Sequence, residues 1–151
     1  GGIPSNLKQA QAEWAASKGA EELDVVPNFF ALNQGQGELF AEELAQICEL
    51  GLPVRAILDM TQLTDEKLSL AIEAAIDAGI SGLQTGNGFG PTVTPSHIRQ
   101  LANFTKKRCL IKAAGGLKKL NQVFESIEAG AQQIGTSSGP EIMMSLRRGT
   151  K

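Results

Sequence analysis

Five short apolar runs, each carrying a polar residue and separated by a nearly constant interval, constrain this chain more than anything else in it. The runs are Leu23-Asp24-Val25-Val26, Val54-Arg55-Ala56-Ile57-Leu58, Gly82-Leu83-Gln84, Leu110-Ile111-Lys112-Ala113-Ala114 and Gln133-Ile134-Gly135. Their starts lie 31, 28, 28 and 23 residues apart, the size of one β-α unit. Between them, segments 38–50, 65–78, 95–106 and 120–129 repeat apolar residues at helical spacing. In the second of these, Leu68, Leu70, Ile72, Ala75 and Ile76 supply a broad face for burial. The punctuation agrees. Thr64 precedes Asp65-Glu66 as a cap and favourable first turn, Gly79 closes the same helix, and the Ala78-Gly79 and Ala129-Gly130 pairs each stand a few residues before a strand. A parallel α/β architecture follows.

Five units in one domain would by length alone suggest an open, doubly wound sheet. The residues point elsewhere. Polar and glycine-rich residues gather at the C-terminal end of nearly every run: Pro27-Asn28, Asp59, Thr85-Gly86-Asn87-Gly88, Gly115-Gly116 and Thr136-Ser137-Ser138-Gly139. Sites built from the ends of many successive strands are the habit of the TIM barrel. The expectation is TIM-barrel-type (β/α) units forming a single domain over residues 1–151, with an open five-stranded parallel sheet as the alternative.

A net charge of −2 gives no basic footprint for nucleic acid and no polybasic stretch for a membrane surface. No apolar run approaches the roughly 20 residues of a membrane span. Small molecules are the expected partners. Cys48 and Cys109 have neither metal-type nor redox-type spacing, which suits two buried thiols in a reducing, cytoplasmic compartment. The opening Gly1-Gly2-Ile3-Pro4 lacks methionine and any secretory or transit character, and the expectation is that something has been removed upstream.

Two loops have the outline of a phosphate cradle. Gly115-Gly116 lies between a strand and the helix beginning near Lys119, and Gly135-Thr136-Ser137-Ser138-Gly139 lies between the last strand and the last helix. Glycines admit a ligand to the backbone, and N–H groups near a helix start together with serine hydroxyls suit a phosphate. Simple turn geometry is the bland alternative for either loop. Lys112 sits inside an apolar strand and Asp24 holds a similar mid-strand position. A lysine there has a depressed pKa or an acidic partner, and either condition is useful in amine chemistry. A structural Asp–Lys pair, or a lysine reaching solvent at the sheet's edge, is the competing reading. His97 suits a solvated or capping role; Trp14, Phe40, Phe104 and Phe124 suit the core; Phe29-Phe30 suits a pocket wall or packing under a loop; and Arg147-Arg148 with Lys151 suits a solvated tail.

These residues together carry a resemblance. Glu22-Leu23-Asp24-Val25-Val26, the Thr-Gly-Asn-Gly-Phe turn at 85–89, Ile111-Lys112-Ala113-Ala114-Gly115-Gly116-Leu117, and Ala129-Gly130-Ala131 leading to Ile134-Gly135-Thr136-Ser137-Ser138-Gly139 resemble deoxyribose-phosphate aldolase in order and spacing. Gly2-Ile3-Pro4-Ser5 is similar to the family's Gly-Phe-Pro turn near the end of its third strand. The resemblance implies a class I aldolase on a (β/α)8 barrel, cleaving 2-deoxyribose 5-phosphate to acetaldehyde and glyceraldehyde 3-phosphate through a lysine Schiff base, with no metal or other cofactor. It makes these five strands the last five of eight, and five tilted strands cannot close such a barrel. Three routes are open: the chain is a piece of a longer polypeptide, it docks on a protein partner or second copy that completes the barrel, or it re-forms as a five-stranded open sheet.

The resemblance also implies a missing nucleophile. Gln84 stands where the family carries its Schiff-base lysine, and an amide nitrogen delocalised into its carbonyl does not attack as an amine does. Lys112 matches the family's second lysine and Asp24 its relay aspartate, while Asp59 replaces a glutamate. The site expected by resemblance is Lys112, Asp24 and Gln84, with sugar phosphate or phosphate bound through Gly88, Gly115, Gly116, Ser137 and Ser138. Three functions follow as expectations: a degenerate aldolase that binds but does not cleave, an active aldolase with Lys112 as nucleophile, and a protein–protein or structural subunit.

Overall fold

The computed structural model describes residues 2–60 and 63–149, so Gly1 and Lys151 lie outside the described residues. The chain runs α1 (Ser5–Ser17), β1 (Leu23–Val25), α2 (Phe29–Asn33), α3 (Gly37–Cys48), β2 (Val54–Ile57), α4 (Asp65–Asp77), β3 (Gly82–Gln84), α5 (Pro95–Thr105), β4 (Leu110–Ala114), α6 (Leu120–Glu128), β5 (Gln133–Gly135) and α7 (Gly139–Gly149). All five strands begin where the apolar runs begin. They form one parallel sheet in the order β1-β2-β3-β4-β5. Each strand pairs with the next in sequence, as in a barrel's winding, and the order shows none of the reversal that defines a doubly wound sheet.

Local signals account for the helix starts. Thr64 Oγ1 accepts from Lys67 N at 3.4 Å, and Thr94 does the same for His97 N while His97 Nδ1 accepts from Thr94 N at 3.3 Å. His97 is therefore a capping residue. The short helix α2, which begins at Phe29, lacks a periodic pattern long enough to announce it, and its signal is local: Asn28 Oδ1 accepts from Ala31 N at 3.1 Å.

Strand residues alternate between two faces. Leu23, Val54, Ala56, Leu83, Ile111 and Ala113 are buried beneath helices, against Leu44 and Ile47 of α3, Leu68 and Ile72 of α4, and Ile98 and Leu101 of α5. The core is thus densest behind β2, β3 and β4. It thins at both ends of the sheet. Trp14 on α1 is 66 % exposed and Phe124 on α6 is 48 % exposed, contrary to the expectation of core positions, and Met143 and Met144 on α7 are equally open. The reason is positional for α1 and α7, which stand at the two ends of the layer, whereas α6 packs between α5 and α7 and turns Phe124 away from both the core and solvent-excluding neighbours. Phe40 is fully buried, with Phe29 against it at a ring separation of 5.9 Å, while Phe30 is exposed. Cys48 and Cys109 are half-buried rather than buried, and that burial pushes both thiols above their ordinary range.

Helix α1 is held by a charge pair rather than by apolar packing alone. Lys8 Nζ meets Glu43 Oε1 at 2.7 Å, with side-chain exposures of 7 % and 2 %, and Ser5 Oγ donates to the other Glu43 oxygen. Removing one member of such a pair strands the other without water. Lys8→Met is expected to lower unfolding stability by about 3–5 kcal/mol, and Lys8→Met with Glu43→Leu to recover most of that loss. Urea denaturation of the single and double variants checks this, and a double variant as unstable as the single one contradicts it.

Candidate functional site

The face of the sheet turned away from the helices carries a chain of charges. Asp24 on β1 is opposite Arg55 on β2, and Lys112 on β4 is flanked in register by Gln84 and Gln133. Lys112 Nζ donates to Asp24 Oδ2 at 2.9 Å, spanning β4 to β1. Arg55 Nε stands 2.7 Å from Asp24 Oδ1 as an ion-pair contact whose N–H is not aligned for a hydrogen bond. The same guanidinium donates to Glu22 Oε2 at 3.1 Å and to Gln133 Oε1 at 2.7 Å. These links join β1, β2, β4 and β5 across one face. A flat sheet would hold β1 and β4 too far apart for such contacts, so the sheet is curved and this face is concave.

Two glycines make room for the long side chains. A Cβ at Gly82 would lie 3.4 Å from Arg55 Cγ and 3.3 Å from the Leu110 carbonyl, and one at Gly135 would lie 2.9 Å from Ala114 Cβ and 3.1 Å from Lys112 Cε. Their absence of side chains is what lets the cations lie over the strands.

Gln84 ends β3 and is 8 % exposed. Its Nε2 donates to the Gly86 carbonyl at 2.8 Å, while Oε1 is buried and accepts no hydrogen bond from the described residues. Beside it, Thr85 Oγ1 donates to the Ala114 carbonyl at 2.8 Å and accepts from Ala114 N at 3.0 Å. One hydroxyl therefore joins the ends of β3 and β4. The loop after β3 then folds over the loop after β4: Val93 N donates to the Gly115 carbonyl at 3.0 Å, and a Cβ at Gly116 would collide with the Thr92 hydroxyl. Thr136 makes the corresponding tie from β5, donating to the Leu117 carbonyl at 2.5 Å and accepting from Ser138 N at 2.9 Å.

These three loops enclose a cleft of about 300 Å³ at the C-terminal ends of β3, β4 and β5. Gln84, Gly88, Gly115, Gly116 and Ser137 line it. Lys112 borders it across Gly135. Ser138 adjoins the lining residue Ser137, and its carbonyl accepts from Ile142 N at 3.1 Å at the start of α7. Asp59 does not line this cleft; it lines a hollow with Phe29 and Asn87 at the ends of β1 to β3 and a small neighbouring one with Gly86, Gly88 and Gly115. Among the described residues no group of three or more His, Cys, Asp or Glu side chains could hold a metal ion, and no helix is long and apolar enough to cross a membrane.

Sequence reasoning missed Arg55, Lys118 and the ties made by Thr85 and Thr136. Arg55 gives the same signal as Lys112, a cation inside an apolar strand. Lys118, which lines the cleft, stands two residues beyond the Gly115-Gly116 pair. The threonine ties depend on loops meeting in space and leave no local pattern.

No family model matches the chain. It is 42 % identical over 144 residues to deoxyribose-phosphate aldolase of Microcystis aeruginosa, covering 95 % of this chain and 64 % of that protein. It is 33 % identical over 156 residues to deoxyribose-phosphate aldolase of Carboxydothermus hydrogenoformans, covering 99 % of this chain and 68 % of that protein. A solved structure described as QR15, an aldolase, superimposes with a TM-score of 0.94 at 33 % identity, covering 99 % of this chain and 70 % of that one. The chain thus spans about two-thirds of the length of these relatives.

The Thr85 tie yields a test. Thr85→Val keeps the shape but leaves a buried N–H and C=O of Ala114 without that partner, and is expected to cost about 1–3 kcal/mol. Thr85→Ser retains the hydroxyl and should lose less than half as much. Denaturant midpoints compare the three proteins; equal losses for valine and serine would count against the tie.

Proposed function

The chain belongs to the deoxyribose-phosphate aldolase family, and on that premise we propose that it is a member which keeps a sugar-phosphate-binding face and has lost, or nearly lost, Schiff-base cleavage of 2-deoxyribose 5-phosphate. One observation carries the reading. The side chain at the end of β3, where the family resemblance expects the nucleophilic amine, is the Gln84 amide, engaged with the Gly86 carbonyl. The nitrogen lone pair of such an amide is delocalised into its own carbonyl and does not attack a carbonyl carbon as an amine does.

The second lysine does not replace it in this arrangement. Lys112 donates to Asp24 at 2.9 Å, and an ammonium in that role offers a ligand N–H bonds rather than an electron pair. An amine that attacks must also come within about 3–3.5 Å of the carbonyl carbon, and errors of about 1 Å are costly. The phosphate would lie where the loops after β4 and β5 meet, beside Gly116, Lys118 and Ser137 and near the start of α7. Catalysis is thereby separated from binding: the groups that orient and hold are kept, and the group that reacts is not.

A second reading, that the chain also works through a partner or a second copy completing the barrel, is favoured by the end helices. Leu7 and Trp14 on α1 and Phe124, Ile127, Met143 and Met144 on α6 and α7 are all at least 48 % exposed. Apolar surface of this kind at both ends of a sheet is what an interface leaves bare when it is empty.

Incubation with 2-deoxyribose 5-phosphate, and separately with acetaldehyde, under cyanoborohydride tests the catalytic reading by intact mass. The expected outcome is no adduct beside a control aldolase that labels. An adduct mapped to Lys112 would overturn the reading and make Lys112 the nucleophile. For the partner reading, sedimentation velocity over a concentration range of about a hundredfold should show association, and a constant monomer would exclude pairing with its own copy.

A further inference from the structure

We infer that Asn87, on the loop after β3, is a modification site that converts spontaneously to aspartate and isoaspartate, and that the carboxylate so formed weakens anion binding in the cleft. The second half of this inference rests on the phosphate-binding reading above; the first half does not.

The reaction needs the main-chain nitrogen that follows an asparagine to reach the side-chain carbon Cγ, and a Cβ on that following residue stands in the way. Asn87-Gly88 is the one step in the chain where an asparagine precedes a glycine. Gly88 has φ +86° and open space where a Cβ would lie. Its N–H donates to no group among the described residues, so the fold does not hold the nitrogen back. The neighbouring Phe89 is 96 % exposed, which puts the loop tip in water. Phe89 N also donates to Asn87 Oδ1 at 2.9 Å. The ring closed by that bond spans the Gly88 peptide and keeps Cγ near Gly88 N, and the same N–H stabilises the negative charge that develops on Oδ1 during attack. Every other asparagine is followed by a residue with a Cβ. For Asn28 and Asn33 the next N–H is also committed, Phe29 N to the Pro27 carbonyl at 2.9 Å and Gln34 N to the Phe30 carbonyl at 3.1 Å.

The step balances with water as the sole co-reactant. Gly88 N bonds to Cγ, the Cγ–Nδ2 bond breaks, and the Gly88 amide proton leaves with Nδ2 as ammonia, which leaves a cyclic succinimide. Water then opens the ring. Addition at Cγ gives aspartate; addition at the main-chain carbonyl gives isoaspartate, whose backbone runs through Cβ and Cγ. Either product is a carboxylate with one proton released, and nothing is oxidised or reduced. Because the attacking nitrogen must lose its proton, the rate rises with pH. The new charge falls where it matters. Asn87 lines the cleft with Gly88, Gly116, Lys118 and Ser137, and it shares a small hollow with Asp59. A carboxylate at that position stands near another carboxylate and opposes the attraction of Lys118 for a phosphate.

Incubation of the intact chain at neutral and at mildly alkaline pH, followed by intact mass and peptide mapping, tests the modification. A gain of about 1 Da mapped to Asn87, faster at the higher pH, is expected, with the other asparagines unchanged and Asn87→Gln inert. Calorimetric titration with inorganic phosphate tests the consequence. The aged chain and Asn87→Asp are each expected to bind phosphate about 3–10-fold more weakly than the fresh chain, with the loss shrinking as salt is added. The aged chain provides this readout even if the variant fails to fold. No gain at Asn87, or gains spread evenly over the asparagines, would overturn the modification. Equal phosphate affinity in fresh and aged chains would overturn the charge effect and leave the phosphate-binding reading intact. A fresh chain that binds no phosphate would overturn that reading and the charge effect together, whereas the mass gain at Asn87 stands or falls by itself.

Discussion

The ion-pair chain from Glu22 through Arg55 and Asp24 to Lys112 is the constraint on which the concave face depends. Strands that are not neighbours can share hydrogen-bonding side chains only if the sheet between them bends, and Asp24 with Lys112 links the first strand to the fourth. Charges drawn out of water in this way are costly unless each is matched, and here each is. The network also explains its own glycines. Gly82 and Gly135 stand under Arg55 and Lys112, and a methyl group at either would crowd a cation stem or the neighbouring strand. Two cations, two carboxylates and two glycines thus form one mutually dependent unit, in which the choice of residue on one strand sets what the next strand can carry.

Above that face the cleft is assembled by hydroxyl ties rather than by charge. Thr85 links the ends of β3 and β4, and Thr136 links the loops after β4 and β5. The loop bearing Thr92 and Val93 closes against Gly115 and Gly116. Loops that carry function are held best by a rigid scaffold, and here each is fixed by at least one hydrogen bond or close contact whose other end is backbone of the adjacent loop. The cleft is pre-formed for that reason, which lowers the ordering cost of any ligand it takes.

Much of this arrangement is legible in the amino-acid sequence. The strand starts at Leu23, Val54, Gly82, Leu110 and Gln133 follow from apolar runs at unit spacing, and the cap at Thr64 follows from local hydrogen-bonding chemistry. The encounter of Asp24 with Lys112 is legible as an acid and a base set inside apolar strands, each in need of a partner. Arg55 is harder to read, although it poses the same problem, because its partners are divided between Glu22 and Asp24 on one side and Gln133 on the other, all distant from it in the chain. Trp14 and Phe124 depart from the core positions expected of them for a related reason: helical periodicity identifies an apolar face but cannot say whether a neighbour exists to cover it. What sequence pattern conveys well is each element's own geometry; what it conveys poorly is the identity of the group on the far side of a contact.

On the function proposed above, a glutamine rather than a lysine at position 84 would have a physical logic beyond the loss of a nucleophile. A lysine there would stand in register beside Lys112 on the adjacent strand, and two ammonium groups on one concave face repel. That repulsion is useful where one amine must be kept unprotonated for attack, and it is a burden where none need be. The glutamine removes the like charge while remaining polar, and it leaves Lys112 to a single commitment with Asp24. Active sites commonly hold such unfavourable arrangements at the expense of stability, so their release is the direction in which a chain freed of catalytic demand should drift. One cost remains, since Gln84 Oε1 is buried with no donor among the described residues, whereas an apolar side chain at that point would leave no acceptor to satisfy.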